Sequence, residues 1–459
     1  MFILPSHVIK ALELIEKFPS RGVPHGGGVA FEGYLIGGCV RDFLLCKTPA
    51  DYDITTNAAP EQILKIFKGF TAIETGKKFG CITVIIDNQK VEISTYRADG
   101  AYTDKRRPDS VRFSNTLKED VSRRDFTVNA MAYNPKTGVI DYYGGQEDLK
   151  NKLIRCVGNP EARFEEDGLR ILRALRFASV LGFDIHAGTK AAMYAKKQNL
   201  NILSAERVFS ELKKIICGQS AEKILTEYHE ILSVILPEIA PVFNFEQNNK
   251  YHIYDVYTHT VKVIANIENT PVLRLAALFH DIGKPHCYTE DKNGVGHFYG
   301  HDKISCEIAD RILRRLKADN KTRLQILTLI KFHDYNLKAD KISVKKLLNK
   351  IGEENFDLLL LLKRADIKAQ NPEFSERLKQ LDCISGLKKE VIENKECYLM
   401  KDLKINGNDL INLGLNDNTK IGETLEKMLE FVISGKLENN YKALKNFALQ
   451  NIKIFSNRA

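Results

Sequence analysis

Long apolar runs are missing from this sequence of 459 residues. The longest run of leucine, Leu358 to Leu362, falls far short of the ~20 apolar residues that a membrane span needs. The stretch from Met1 to Phe18 lacks a basic leader and is interrupted by Pro5, His7, Lys10 and Glu13. It reads as a first helix rather than a secretory signal. No Cys-x-x-Cys pair occurs. The 9 cysteines are scattered and odd in number, which argues against both a disulfide framework and a zinc ribbon. Reduced thiols and a cytoplasmic location are the expectation. There is no internal repeat. The composition of disorder is absent too: 44% hydrophobic and 28% charged residues describe a globular chain, long enough for about three domains.

The net charge is +9, from 68 Lys+Arg against 59 Asp+Glu. Such a balance fits a mildly basic surface and equally a polyanionic partner such as RNA.

The first ~145 residues carry an α/β pattern, and helical patterns dominate from about residue 160. Gly33 to Ile36 reads as a strand ending in Gly37-Gly38, and Asp53-Ile54-Thr55 as a second. Asn57 and Pro60 predict a capped helix through Phe67. Cys81 to Ile86 and Lys90 to Tyr96 predict a hairpin around Asp87-Asn88-Gln89. The polar stretch Asn244 to Lys250 is the best candidate linker.

Two constellations carry chemistry. In Gly37-Gly38-Cys39-Val40-Arg41-Asp42, paired glycines let backbone N–H groups approach an anion, and Arg41 adds charge-assisted bonds to phosphate. Alone, the same residues fit a tight strand-to-helix turn. Asp51 and Asp53 follow; in a strand, residues i and i+2 share a face, so two carboxylates would meet and call for a divalent cation. Glu92, in the expected hairpin, has the position of a third carboxylate on a neighbouring strand.

Together with Arg123 to Ala132, Asp141-x-x-Gly144-Gly145-x-x-Asp148 and Glu166 to Ala178, these residues form four ordered motifs. A weaker fifth lies near Glu206 to Lys214. The set resembles the head of polymerase-β-type nucleotidyltransferases. More narrowly, it resembles the class II tRNA nucleotidyltransferases (CCA-adding enzymes) and the related bacterial poly(A) polymerases. The resemblance implies an α+β fold: a mixed-sheet head over residues 1–150 and a helical neck over 151–245, then further helical parts. It implies Mg²⁺ at Asp51 and Asp53, triphosphate contacts at Gly38 and Arg41, a nucleotide contact at Arg124 and ribose-side contacts at Asp125 and Asn129, one turn apart if helical. The implied partners are CTP, ATP and the tRNA 3′ end, and no membrane.

Asp167 and Arg170 lie three apart on an expected helix, so an acceptor-only head and a donor-only head can sit side by side. Cytosine and adenine both offer an amine beside an acceptor ring nitrogen, whereas uracil and guanine offer the reverse. Such a pair accepts C and A without a template. Alone it is also an ordinary surface ion pair. Arg173 and Arg176 continue the series; Arg173 reaches the nucleotide, and Arg176 has the more structural position, although the family uses both. Gly76-Lys77-Lys78-Phe79-Gly80 leans toward the poly(A) polymerases, and Cys81-Ile82-Thr83-Val84 toward the tRNA enzymes. Between Arg97 and Arg112, Asp104-Lys105-Arg106-Arg107-Pro108 departs from the family's Asp-Gly-Arg-Arg-Pro at Lys105. A loop at this point argues against a CC-only enzyme.

The second constellation is His259, His280-Asp281, His301, His333 and Asp366, imidazoles and carboxylates suited to a divalent metal. It resembles the HD superfamily of metal-dependent phosphohydrolases. That resemblance implies an HD domain over 246–375, a helical tail over 376–459, and a centre holding Mg, Mn, Ni or Fe. Two alternatives remain open beside CCA addition: poly(A), A-only or CC-only addition, and a hydrolase acting chiefly through the HD centre. An RNA-binding protein without catalysis is disfavoured by the intact carboxylate pair.

Overall fold

The computed structural model describes residues 2–19, 31–100 and 111–456. The segment from Asp104 to Pro108, where the loop motif was expected, lies outside them. The chain folds as two units, Met1–Pro237 and Glu238–Ala459. Among the described residues, no helix is long and apolar enough to cross a membrane.

In the first unit, helix α1 (Ser6–Lys17) precedes strand β1 (Gly33–Ile36), helix α2 (Gly38–Leu44), β2 (Asp53–Thr56), α3 (Pro60–Ile66), β3 (Thr71–Ile73), β4 (Cys81–Ile86) and β5 (Gln89–Thr95). Then come a small ribbon of β6 (Arg97–Asp99) and β7 (Val111–Phe113), α4 (Leu117–Ser122), β8 (Met131–Asn134), β9 (Gly138–Asp141) and α5 (Gly145–Lys150). One seven-stranded sheet runs β3-β4-β5-β2-β1-β8-β9. All its pairings are antiparallel except β2 with β5. The interior strand β1, between β2 and β8, is buried along its whole length, as a strand covered on both faces requires. Strand β4 alternates partly exposed and buried positions, the period-two signature of a half-covered sheet. The hairpin turns on Asp87-Asn88, with φ of 50° and 61°, the left-handed pair of a type I′ turn.

Two local expectations change. Asp51 precedes β2 instead of belonging to it, so the shared-face argument does not place it; it sits exposed in the incoming loop. Asn57 does not cap α3. Its Oδ1 accepts from the Glu32 amide at 3.0 Å, and the Ala59 amide at the helix start donates to Gln62 Oε1 at 2.7 Å.

Past β10 (Leu153–Ile154) the unit is helical: α6 (Pro160–Glu166), α7 (Leu169–Leu181), then β11 (Asp184–Ile185), α8 (Ala187–Lys196), α9 (Ala205–Ile216), α10 (Ala221–Glu227) and α11 (His229–Ile235). Leu169, Leu172 and Leu175 are buried on α7, in line with their helical spacing.

The second unit contains α12 (Val256–Asn266), α13 (Pro271–Phe279), two short strands β12 (Thr289–Glu290) and β13 (Gly296–His297), α14 (His301–Arg315), α15 (Asn320–Phe332) and α16 (Lys341–Lys368). After it come α17 (Arg377–Glu393), α18 (Gly407–Asn412), α19 (Asn418–Ile433) and α20 (Tyr441–Ser456). The last three share a core of their own around Leu410, Met428, Leu444 and Ala448. The stretch Asn244 to Lys250, expected as a linker, is packed: Gln247 is buried and its Oε1 accepts from Lys284 Nζ at 2.7 Å.

The turn that ends β1 depends on Gly37, at φ 79° and ψ −127°, a region that side chains disfavour. A Cβ there would also sit 2.8 Å from Arg124 Nη1. Gly37→Ala is expected to cost the first unit ~1–3 kcal/mol, read as a lower urea midpoint with an unchanged slope.

Candidate active site and a second candidate metal centre

Parallel pairing of β2 with β5 sets Asp53 directly against Glu92. Asp53 is the first residue of its strand, and Glu92 projects from the middle of the neighbouring one. The Asp53 carboxyl is pushed up to about 6, by burial first, then by Glu92 and by Asp51; Arg124 pulls it the other way. Glu92 and Asp51 thus raise the cost of ionising Asp53, and a divalent cation would remove that cost. The donor set fits such an ion. The Cys81 thiol, on β4, donates to Glu92 Oε1 at 2.9 Å.

The opposite charge stands at the end of β1. Helix α2 starts at Gly38, and the Arg41 guanidinium lies over that glycine, 3.7 Å from where a Cβ would be. Arg41 donates from Nε and Nη2 to Asp42 Oδ1, at 2.9 and 2.7 Å, and from Nη1 to Asn129 Oδ1 at 2.7 Å. That leaves two of its five N–H donors for an anion. Asn129 closes a 3₁₀ turn (Thr127–Asn129), so Asp125 and Asn129 are not successive positions of an α-helix. They still meet, Asn129 Nδ2 donating to Asp125 Oδ1 at 3.4 Å. The second Asp125 oxygen accepts from Arg173 Nε at 2.7 Å. Asp125 therefore joins the head to α7.

Asp167 and Arg170 do not pair with each other. Asp167 lies between α6 and α7 in extended backbone, φ −147° and ψ 106°, outside the helix the spacing argument assumed. Its Oδ2 accepts from Arg207 Nη2, on α9, at 2.6 Å. Arg170 instead pairs with Glu166 and donates from Nη2 to the Arg123 carbonyl at 3.0 Å. Arg176 is held by Glu211 at 3.0 Å and lies 4.1 Å over the Phe177 ring, which Arg41 and Arg173 also approach.

Several residues of this site were not singled out from the sequence. Asp120, fully buried, binds Arg123 at 2.7 Å, Thr55 Oγ1 at 3.1 Å and the Arg97 amide at 3.3 Å, and lies 3.9 Å from Arg124. Arg207 and Glu211 lie within the weak fifth motif near Glu206 to Lys214, and their four-residue spacing on one helix is the signal that could have found them.

In the second unit all six expected ligands converge, from α12, α13 and the turn after it, α14, the end of α15, and α16. His259 Nε2 lies 2.9 Å from Asp366 Oδ1 and 3.5 Å from Asp281 Oδ2, and His280 Nε2 lies 3.2 Å from that same oxygen. The other Asp281 oxygen faces His301 Nε2 at 3.4 Å and His333 Nε2 at 3.5 Å. Two metal-sized groups thus share one carboxylate: His259, His280 and Asp281, and Asp281, His301 and His333. Each imidazole turns Nδ1 to a backbone carbonyl, of Ala369 (3.3 Å), Ala277 (2.7 Å), Phe298 (2.8 Å) and Ile330 (2.6 Å). A carbonyl requires an N–H there, which leaves Nε2 as the lone-pair nitrogen facing inward. Among the described residues, His259 Nε2 and His280 Nε2 are buried without a hydrogen-bond partner, and a lone pair on each suits a cation. Burial raises the Asp281 carboxyl, but His280 and Lys284 outweigh it and hold the group well below the ordinary range. The centre opens into a cavity of about 610 Å³ that also contains His252, Lys284 and Tyr299. His252, not singled out from the sequence, packs edge-on against His259, and burial followed by Lys284 drives its pKa down to about 3.

Three family models match: the poly A polymerase head domain over residues 33–155, the probable RNA and SrmB-binding site of polymerase A over 182–243, and tRNA nucleotidyltransferase domain 2 (putative) over 299–448. A CCA-adding enzyme of Lactobacillus helveticus is 31% identical over 444 residues, which cover 97% of each chain. This chain belongs to the CCA-adding enzyme family. A second member, from Oceanobacillus iheyensis, is 42% identical over 250 residues, 54% of this chain and 59% of that one. The crystal structure of the Bacillus stearothermophilus CCA-adding enzyme in complex with CTP superposes with a TM-score of 0.72 at 24% identity, covering 99% of this chain and 98% of that one, which shows a common fold. As a CCA-adding enzyme family member the chain is a nucleotidyltransferase, a class that implies a divalent metal.

Asp120 compensates two guanidinium groups behind the sheet. Asp120→Ala is expected to destabilise the first unit by ~3–5 kcal/mol, because the ion pairs of a fully buried carboxylate with Arg123 and Arg124 are lost. Chemical denaturation measures the loss. Asp120→Asn, which keeps the volume, recovers only part.

Proposed function

We propose that this protein adds C, C and A to the 3′ end of tRNA, using CTP and ATP and releasing pyrophosphate, with Asp51, Asp53 and Glu92 holding Mg²⁺. The observation that carries the reading is the opposition of Asp53 to Glu92 beside the glycine turn at the end of β1. Magnesium held by these carboxylates would supply a Lewis acid that favours loss of the RNA 3′-hydroxyl proton to solvent and would neutralise the phosphates. The 3′ oxygen forms a bond to the α-phosphorus, and the bond from that phosphorus to pyrophosphate breaks. Backbone N–H groups at Gly38 and the two spare donors of Arg41 bind the triphosphate, with Arg124 beside them. Asn129 keeps Arg41 in place, and Asp125 does the same for Arg173. Asp167 and Arg170 choose the base, Arg173 reaches the nucleotide, and Arg176 braces α7. The reading divides the chain into a head (1–150), a neck (151–245), an HD domain (246–375) and a tail (376–459), in a cytoplasmic enzyme.

Asp53→Ala is expected to lower incorporation of labelled CTP and ATP by more than about a thousandfold while tRNA binding by filter retention stays within about twofold. Defined tRNA ends (no CCA, C, CC) separate CCA addition from A-only, CC-only or poly(A) addition. Persistent transfer by the Asp53 variant would refute the metal assignment.

A second reading concerns the histidine centre. Four Nε2 atoms fixed by carbonyl bonds around a shared carboxylate favour a metal-dependent phosphohydrolase, with Mg, Mn, Ni or Fe as candidate ions. His259, His280, Asp281 and Asp366 would hold one ion, and His301 and His333 would extend the site to a second. His280→Ala is expected to lose bound metal by elemental analysis, and hydrolysis of a phosphomonoester, while CCA addition continues. Full metal content in that variant would refute this reading.

A further inference from the structure

Asp167 can read a base only if its carboxylate has a fixed direction. Its backbone provides none, since the residue lies in extended conformation between two helices. One oxygen accepts from the Leu169 amide at 3.0 Å, a bond within the same turn that moves with it. The tie to another element is Arg207 on α9, at 2.6 Å. One helical turn further along α9, Glu211 grips Arg176 of α7 at 3.0 Å. The two pairs have opposite polarity: an acid of the base-reading segment meets a base of α9, then a base of α7 meets an acid of α9. Shifted along the axis by one turn, the helices would bring like charges together, so the crossed pairs set their register. Among the described residues, Arg207 Nη1 is buried and has no hydrogen-bond partner, so Asp167 is the side chain this guanidinium binds.

We propose that Arg207 is a specificity-determining positioning residue: it holds the Asp167 carboxylate in the orientation that accepts the exocyclic amine of C and A. The inference rests on the reading that Asp167 contacts the base. Without Arg207 the nearest alternative cation in the sequence is Arg170, three residues on, and the carboxylate would turn from the base toward it.

The test uses the full-length enzyme with tRNA ending in C or CC and each of the four nucleoside triphosphates. Arg207→Gln is expected to raise KM for CTP and ATP by about tenfold with kcat little changed, and to lower discrimination against UTP and GTP by about tenfold. Arg207→Lys keeps the charge without the planar fork and is expected to recover part of the discrimination. A merely structural role would lower the melting temperature of both variants and leave base choice unchanged, and that result would overturn the proposal. If Arg207→Gln does not fold, Arg207→Lys decides: unchanged KM and discrimination count against the anchor. Asp167→Asn, run in parallel, distinguishes the failures. Retained base choice there would mean that Asp167 does not read the base. Lost base choice there with normal choice in both Arg207 variants would mean that Arg207 is not its anchor.

Discussion

Electrostatic repulsion between carboxylates held by neighbouring strands is the constraint on which the head depends. The one parallel pairing in the sheet brings Asp53 and Glu92 together, and the burial of Asp53 adds to the cost of its charge. Such an arrangement persists only if cations offset it. The rest of the head surrounds those acids with positive charge: Arg41 over the glycine turn, Arg124 packed beneath it, and Asp120 behind, which keeps Arg123 and Arg124 from being uncompensated in turn. Each charge is tolerated because the next one is present. A site so balanced is ready for a ligand that carries both signs, a polyphosphate with its cation.

Much of the head was legible in the sequence because its signals are local. Two runs of strand-forming residues marked β4 and β5, Asp87-Asn88-Gln89 between them marked the hairpin, and glycines marked the end of β1. Glu92 could be matched to the carboxylate pair because the hairpin fixed its face. The misreadings involve residues whose partners come from far along the chain. Asp167 and Arg170 look like a pair from their spacing, yet the chain leaves helical geometry at Asp167, and an arginine 40 residues away takes the carboxylate. Asn57 looked like a cap but ties down an incoming strand. Asp120 was invisible, since a lone acid on a short helix carries no periodic signal; only the fold shows that it faces two guanidiniums.

The second unit shows the reverse case. Its six ligands are spread over five helices, but each residue type is rare enough in apolar context that their order alone suggested a centre. What the sequence could not give was the outer layer. Four carbonyl oxygens, from Ala277, Phe298, Ile330 and Ala369, fix four imidazole rings. Backbone groups have no sequence signature. Three of these carbonyls lie three residues before their histidine: at the C-terminal ends of α13 and α15 helical geometry performs the orientation, and ahead of α14 the turn at Gly300 does.

The shared Asp281 carboxylate has an electrostatic consequence for filling the centre. Each of its oxygens faces a different pair of imidazoles. The first ion to arrive would neutralise the charge that draws the second, so the two affinities cannot be equal. Occupancy would rise in steps with metal supply, and the half-filled form would be a distinct chemical species over a broad range of concentration.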